Sequence, residues 1–306
     1  MPSWQATVLN TILSYVARPS ISRGKAKLPL SQVRSRLLAL DNRWLPWPDT
    51  LESNSIPLTH STLLNYRNMK HASSQGNLFY IRGGGFCFKT PNAHARLICD
   101  LSLRCQLEAF VPDYRLAPEH PFPAACDDVL EAYLHLIAVK DAENLILMGD
   151  SAGGNLALSL LLELKRLKLP LPKACVLISP ALDLALTGDT ELILAAEDPF
   201  FTIESLLRLR GAYLAGSDPM SVKASPLLGE LQDLVPFLVI AGTRELLLQD
   251  SQRFVSRVMS AGGRIESRFY PHMPHVFPLF NLLPEAIEAR ELIKAFVLSH
   301  LNDKIG

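Results

Sequence analysis

Near the start of the chain, apolar residues recur at helical spacing: Trp4, Val8, Leu9, Ile12, Leu13 and Val16. That pattern predicts a helix ended by Pro19, and a second pattern predicts a helix from about Ser31 to Leu40. Residues 1 to about 45 therefore read as helical. Further on, short apolar runs bounded by turn residues follow one another: Leu78–Ile81, Ala109–Val111, Leu145–Met148, Ala174–Ile178 and Phe237–Ala241. Arg268-Phe269-Tyr270 is the last strand candidate. Most of these runs are separated by helical stretches, one of them predicted from Ala152 to Leu167. Strands that are apolar on both faces and alternate with helices belong to a mostly parallel sheet flanked by helices, so the fold class is α/β. One segment breaks the rhythm. Asp183 to about Ser221 is too long for a simple crossover. It carries Phe200, Phe201, Leu206, Leu207, Leu209, Tyr213 and Leu214. It reads as a helical insertion over the C-terminal edge of the sheet, its apolar residues serving either core packing or a lid over a pocket.

Composition narrows the picture. The 306 residues suit one large α/β domain with insertions as well as two domains. Lys and Arg number 30 and so do Asp and Glu, so the net charge is zero and nothing steers the chain toward nucleic acid or an anionic membrane. The basic cluster Lys165, Arg166 and Lys168 reads as a solvated helix face. The five cysteines (Cys87, Cys99, Cys105, Cys126 and Cys175) are odd in number and form no C-x-x-C pair. Neither a disulfide framework nor a metal cluster is expected, and free thiols favour a reducing compartment. No signal peptide and no membrane span is expected, which makes the cytoplasm the default location.

The strongest chemical signal is Gly149-Asp150-Ser151-Ala152-Gly153-Gly154, placed after a predicted strand and before a predicted helix. That is the context a G-x-S-x-G nucleophile turn requires. Glycines permit the sharp turn, and the Ala152 N–H at the helix start can donate to a developing oxyanion. A serine hydroxyl needs a base, and chain order places an acid and then a histidine after it. Five histidines (His60, His71, His94, His120 and His135) precede Ser151, and His300 lies in the last helix. His272 and His275 remain, in the loop after the last strand candidate. His275 is preferred because Phe277 can anchor that loop. Glu245 stands where the preceding strand ends in a turn and would orient the histidine. Asp250 competes for that role but reads better as part of the next helix, which begins near Gln249. Arg82-Gly83-Gly84-Gly85 follows a strand and offers backbone N–H groups to a ligand.

Together these features resemble the hormone-sensitive-lipase group of esterases within the α/β-hydrolase fold. The resemblance runs from about residue 75 to 300. It is carried by Asp113-Tyr114-Arg115-Leu116-Ala117-Pro118-Glu119-His120-Pro121-Phe122-Pro123-Ala124, by Gly149 to Gly154, and less strongly by Ser225-Pro226-Leu227. It implies an α/β-hydrolase catalytic domain over residues 46–306, with the N-terminal helices of residues 1–45 and the insertion at about 183–221 as its helical cap. It also implies Ser151 as nucleophile, Glu245 as acid in Gly242-Thr243-Arg244-Glu245-Leu246-Leu247, and His275 as base. The oxyanion donors would be the N–H groups of Gly84, Gly85 and Ala152.

The family's first loop residue is His, and here it is Arg82. Arg82 could brace the glycine loop by other hydrogen bonds, misplace it, or bind an anionic substrate. On the second of these readings Arg82→His would raise turnover. The expected activity is hydrolysis of short-chain carboxylic esters through an acyl-enzyme, acting on a small-molecule substrate without metal or cofactor. Two alternatives stay open: a catalytically weakened, ligand-binding relative, and an amidase or lactonase using the same residues. Association into homo-oligomers is also open.

Overall fold

All six strand candidates become strands of one eight-stranded sheet in the computed structural model, which describes residues 2–17, 29–70 and 73–302. The expected helix end at Pro19 and the residue His71 lie outside these. The strands are β1 (Leu51–Pro57), β2 (Thr62–Asn68), β3 (Gly76–Ile81), β4 (Leu107–Pro112), β5 (Leu145–Asp150), β6 (Ala174–Ile178), β7 (Phe237–Gly242) and β8 (Ile265–Tyr270). Their order is β1-β2-β4-β3-β5-β6-β7-β8. From β4 through β8 every pairing is parallel, whereas β1 and β2 pair antiparallel with each other and β2 with β4. The fold is that of an α/β hydrolase with a mostly parallel central sheet.

The helices are α1 (Trp4–Ile12), α2 (Leu30–Trp44), α3 (Pro91–Cys105), α4 (Ala124–Ile137), α5 (Ala152–Leu167), α6 (Thr190–Ala195), α7 (Ile203–Leu214), α8 (Leu248–Ser260) and α9 (Pro284–Asn302). A π-helical turn, Leu13–Ala17, continues α1. The strand period of two sorts the core into two layers. Phe79, Leu147, Leu177 and Val239 face α4, α5 and α8, where Val129, Leu160 and Phe254 meet them. Tyr80, Met148, Val176 and Ile240 face the other way, toward Leu97 and Leu101 of α3 and Ile293 and Phe296 of α9. Central strands buried on both faces have no polar side to show, which is why they read as continuous apolar runs.

β1 and β2 carry no apolar run in the sequence, β2 because its buried positions include Asn65 and Asn68, and β1 because it lies at the edge of the sheet. In β1, Leu-Glu-Ser-Asn-Ser-Ile-Pro, only Leu51 is buried. An edge strand needs only one neighbour to satisfy its backbone, so its side chains need not be apolar.

The insertion holds α6 and α7. The Thr202 side chain accepts from the Ser205 N–H and the Ser205 side chain from the Thr202 N–H, a capping box that starts α7. Its apolar residues divide between the two expected uses. Tyr213 is fully buried and stacks on Phe86 at 3.7 Å between ring centroids. Phe200, Phe201, Leu206 and Leu209 line open space beside Ser151.

Candidate active site

Parallel strands deliver their following loops to one edge of a sheet, and there the candidate residues gather. Ser151 follows β5, Ser179 follows β6, Glu245 follows β7 and His275 follows β8. Arg82 opens the loop after β3.

The turn at Ser151 is strained. Its φ of 52° and ψ of −120° lie in territory L-residues avoid. Such a turn closes only if the following helix can approach the neighbouring strand. A Cβ on Gly153 would stand 1.9 Å from the Ile81 carbonyl oxygen, so only glycine fits. The Ser151 N–H donates to the Ile178 oxygen at 2.9 Å, which fixes the turn against β6.

Ser151, His275 and Glu245 meet. Ser151 Oγ lies 2.9 Å from His275 Nε2, and His275 Nδ1 lies 2.8 Å from Glu245 Oε2. The carboxylate accepts, so Nδ1 carries the proton and Nε2 is left to accept from the serine hydroxyl. Glu245 Oε1 accepts from Ser179 Oγ at 2.8 Å and from the Gly242 N–H. Glu245 is only 2% exposed, and burial pushes its carboxyl above the usual range while these donors restrain the rise. Burial alone would lower the His275 pKa, but the hydrogen bond and charge of Glu245 outweigh it and raise the imidazole above 6.5. Phe277 is fully buried against Tyr270 and anchors the loop, as expected. His272 stays exposed on the far side of that loop, its carbonyl accepting from Asn10 Nδ2 at 2.9 Å.

Asp250 lies in the first turn of α8 and does not reach the histidine. Its Oδ2 accepts the Leu182 and Asp183 N–H groups at 2.7 and 3.1 Å, holding the chain after β6.

The glycine loop passes close to Ser151, and both Gly84 and Gly85 have positive φ. A Cβ on Gly84 would stand 2.2 Å from the Phe88 carbonyl oxygen. Arg82 lies beneath this loop, 4% exposed. Its guanidinium donates to Phe88 O at 3.1 Å and to Asp113 Oδ1 at 2.9 Å, and lies 4.3 Å over the Tyr114 ring. The Tyr114 hydroxyl returns a bond to Arg82 O at 2.9 Å. The guanidinium is therefore turned away from both cavities at Ser151, and the expectation that it meets an anionic substrate does not hold. Of the three readings open in the sequence, the geometry matches bracing by other hydrogen bonds.

Sequence order concealed one further network. Asp150 Oδ1 accepts from the Gly83 N–H at 2.9 Å and from the Tyr80 hydroxyl at 2.8 Å, and His94 Nε2 lies 3.3 Å from the same oxygen. His94 Nδ1 lies 2.9 Å from Thr90 O. Burial disfavours both charges. The Asp150 carboxylate nevertheless raises the His94 pKa, and His94 lowers that of Asp150, while the Gly83 N–H bond to Asp150 ties the glycine loop to the serine turn. Its place before the serine counts against His94 as the catalytic base, and chain order says nothing about a supporting role. The only signal in the chain was the acidic residue immediately before Ser151.

Two cavities meet at Ser151. The smaller, about 130 Å³, includes Gly84, His94, Phe200, His275, Leu279 and Phe280 in its wall. The larger, about 290 Å³, includes Ala152, Leu184, Leu206, Leu207 and Leu246. Gly85, Phe201 and Leu209 border both. Phe201 sets its ring edge-on to His275 at 5.2 Å.

Residues 78–279 match the family described as alpha/beta hydrolase fold. An esterase of Acinetobacter venetianus is 37% identical over 232 residues, 74% of this chain and 76% of that protein. An acetyl-hydrolase of Streptomyces hygroscopicus is 35% identical over 222 residues, 72% of this chain and 74% of that one. A crystal structure of an esterase from the bacterial hormone-sensitive lipase family superposes with a TM-score of 0.88 at 28% identity, covering 98% of this chain and 99% of that one.

Proposed function

This chain belongs to the hormone-sensitive-lipase-like esterases of the α/β-hydrolase fold and is a carboxylic ester hydrolase, and from that premise we propose that it works through an acyl-enzyme on Ser151. The observation that carries the reading is the unbroken relay from Ser151 Oγ through His275 to Glu245, at 2.9 and 2.8 Å on a strained turn.

The reaction follows from that relay. Ser151 Oγ attacks the ester carbonyl carbon as its proton passes to His275 Nε2. Glu245 holds the productive tautomer and stabilises the imidazolium that forms. Negative charge moves to the carbonyl oxygen, where the N–H groups of Gly84, Gly85 and Ala152 receive it. Collapse of the tetrahedral intermediate expels the alcohol, protonated by His275. Water then attacks the acyl-serine by the same route in reverse. Arg82 and the His94–Asp150 pair hold the glycine loop at its distance from the serine.

The two cavities divide the substrate. The leaving alcohol must lie where Nε2 can protonate it, so it occupies the smaller cavity, whose wall includes His275. The acyl chain extends into the larger one. Leu184 and the leucines of α7 bound that space, which supports a preference for short acyl chains. The N-terminal helices and the insertion at about 183–221 act as the cap, since α2 contributes Leu37 to the smaller cavity and α7 most of one wall of the larger.

The test combines labelling and turnover. An organophosphate should modify Ser151, and Ser151→Ala should abolish hydrolysis of p-nitrophenyl acetate and butyrate without lowering Tm. Modification of a different serine, or residual turnover in the variant near that of the wild type, rules the mechanism out.

A further inference from the structure

One buried carboxylate beside the site takes no part in the relay. Asp198 stands between α6 and α7 and is 2% exposed. Its Oδ1 accepts the Phe200 and Phe201 N–H groups at 2.7 and 2.9 Å, which folds the chain into a turn at Pro199. Its Oδ2 crosses to the loop after β7 and accepts the Leu246 N–H at 3.0 Å. Leu246 directly follows Glu245, so one side chain ties the insertion to the turn that carries the acid. Beside it, Arg244 donates to Glu197 O at 3.2 Å and pairs with the Glu197 carboxylate at 3.3 Å, a more exposed contact that adds little.

The tether sets Phe201. Its ring lies 4.8 Å from that of Phe200 and meets His275 edge-on at 5.2 Å. His275 is only 5% exposed, and the ring is part of what covers it.

The charge of Asp198 reaches the same imidazole. Among the described residues, three carboxylates act on His275 from three elements: Glu245 after β7, Asp198 in the insertion and Asp150 at the end of β5. Asp150 is matched by His94 at 3.3 Å, and Arg244, on the acid's turn, is matched by Glu197. Asp198 has backbone N–H partners alone, so no counter-ion offsets its field. A charge in a water-poor site acts more strongly than one in water. Burial acts to lower the His275 pKa, the bond and charge of Glu245 raise it, and the Asp198 charge adds to that rise ahead of Asp150.

We propose that Asp198 is a positioning residue of the reaction: it docks the insertion on the acid's turn so that Phe201 covers His275, and its carboxylate favours the imidazolium that forms as Ser151 attacks. The inference rests on the Ser151–His275–Glu245 relay as the reacting machinery.

The experiment is the pH dependence of kcat/KM for p-nitrophenyl butyrate in the wild type, Asp198→Asn, Asp198→Ser and Phe201→Leu. The sign of the shift separates the two ways Asp198 could matter. Removing its charge lowers the midpoint, whereas merely loosening the insertion lets water reach His275, relieves its burial and raises the midpoint. Asp198→Asn should therefore lower the midpoint and reduce kcat on the plateau by about tenfold, part of the loss that a misplaced catalytic group brings. Phe201→Leu keeps the charge and thins the cover, so it should raise the midpoint. Serine is neutral and shorter and can still accept one Phe N–H, so Asp198→Ser carries the same test if the asparagine variant does not fold. Thermal melts report folding. An unchanged or raised midpoint in a folded neutral variant would overturn the proposal, and so would failure of both neutral variants to fold, which leaves Asp198 a purely structural role. An unmoved midpoint in Phe201→Leu would overturn the covering role of the ring. Labelling of wild-type Ser151 by an organophosphate is read alongside, and its absence would remove the relay itself, independently of any shift at Asp198.

Discussion

Replacing Arg82 with histidine restores the family's residue and yet should slow this enzyme. The guanidinium spans two acceptors at once, Phe88 O at 3.1 Å and Asp113 Oδ1 at 2.9 Å, while lying 4.3 Å over Tyr114. An imidazole is shorter and cannot serve both. Each hydrogen bond to a charged group contributes about 1.5–3 kcal/mol. The ion pair counts for less here, because Asp113 is about one-third exposed and keeps Lys89 at 2.9 Å. A loss of about 2–3 kcal/mol in stability follows, mostly from Phe88 O. Phe88 also donates its N–H to Gly84 O at 2.8 Å, so loosening its carbonyl loosens the turn that aims the glycine-loop donors. Losing one oxyanion donor outright costs about 10²–10³ in rate, and a displaced loop should cost part of that, about tenfold in kcat. KM should barely move, since the donors act on the transition state. The assay is steady-state hydrolysis of p-nitrophenyl acetate beside a thermal melt, for Arg82→His and Arg82→Lys. Lysine keeps the charge but not the fork, and should fall between the two. An Arg82→His variant with equal or higher kcat would refute the bracing argument and revive the reading in which arginine misplaces the loop.

Other outcomes follow from the same geometry. Glu245→Gln should cost kcat several orders of magnitude, by analogy with about 10⁴ for the equivalent change in a serine protease, whereas Asp250→Asn should cost far less, since its carboxylate holds the Leu182 and Asp183 N–H groups and does not bond His275; the reverse ranking in kcat would reassign the acid. Because Glu245 raises the His275 pKa and the base must be neutral, kcat/KM should rise with pH through a midpoint above 6.5, and a midpoint at or below 6.5 in a pH–rate profile would contradict the relay. The raised His94 pKa gives a stability contribution that is full below pH 6.5 and lost as pH climbs through the folded value; the depressed Asp150 pKa gives one that is full above pH 3.8 and lost as pH falls through its folded value. Tm measured against pH should therefore decline on the alkaline side, and His94→Gln should lessen that decline, the remainder coming from His275, whose pKa is raised as well. Leu184→Ala should lengthen the acyl preference, raising the hexanoate-to-butyrate ratio of kcat/KM by about fourfold for each methylene newly buried, at about 0.8 kcal/mol each; an unchanged ratio would place the acyl chain elsewhere.

The candidate site was legible in sequence wherever a local rule forces the residue. Gly153 has no alternative, because a Cβ there would strike the Ile81 oxygen, so the turn at Ser151 is written in its glycines. The central strands announce themselves because burial on both faces leaves no polar position. Chain order then brought Glu245 and His275 forward, and the structure brings both to Ser151. What pattern could not carry was anything settled by partners distant in the chain. β1 and β2 belong to the sheet through backbone pairing, which the edge strand β1 makes with only Leu51 buried and β2 makes with Asn65 and Asn68 among its buried residues. His94 matters only because the loop after β3 folds back to set it beside Asp150, 56 residues away. Arg82 left three readings open in the sequence, and only the fold brings Phe88, Asp113 and Tyr114 around its guanidinium, because these partners are drawn from separate turns of the chain that no local pattern links.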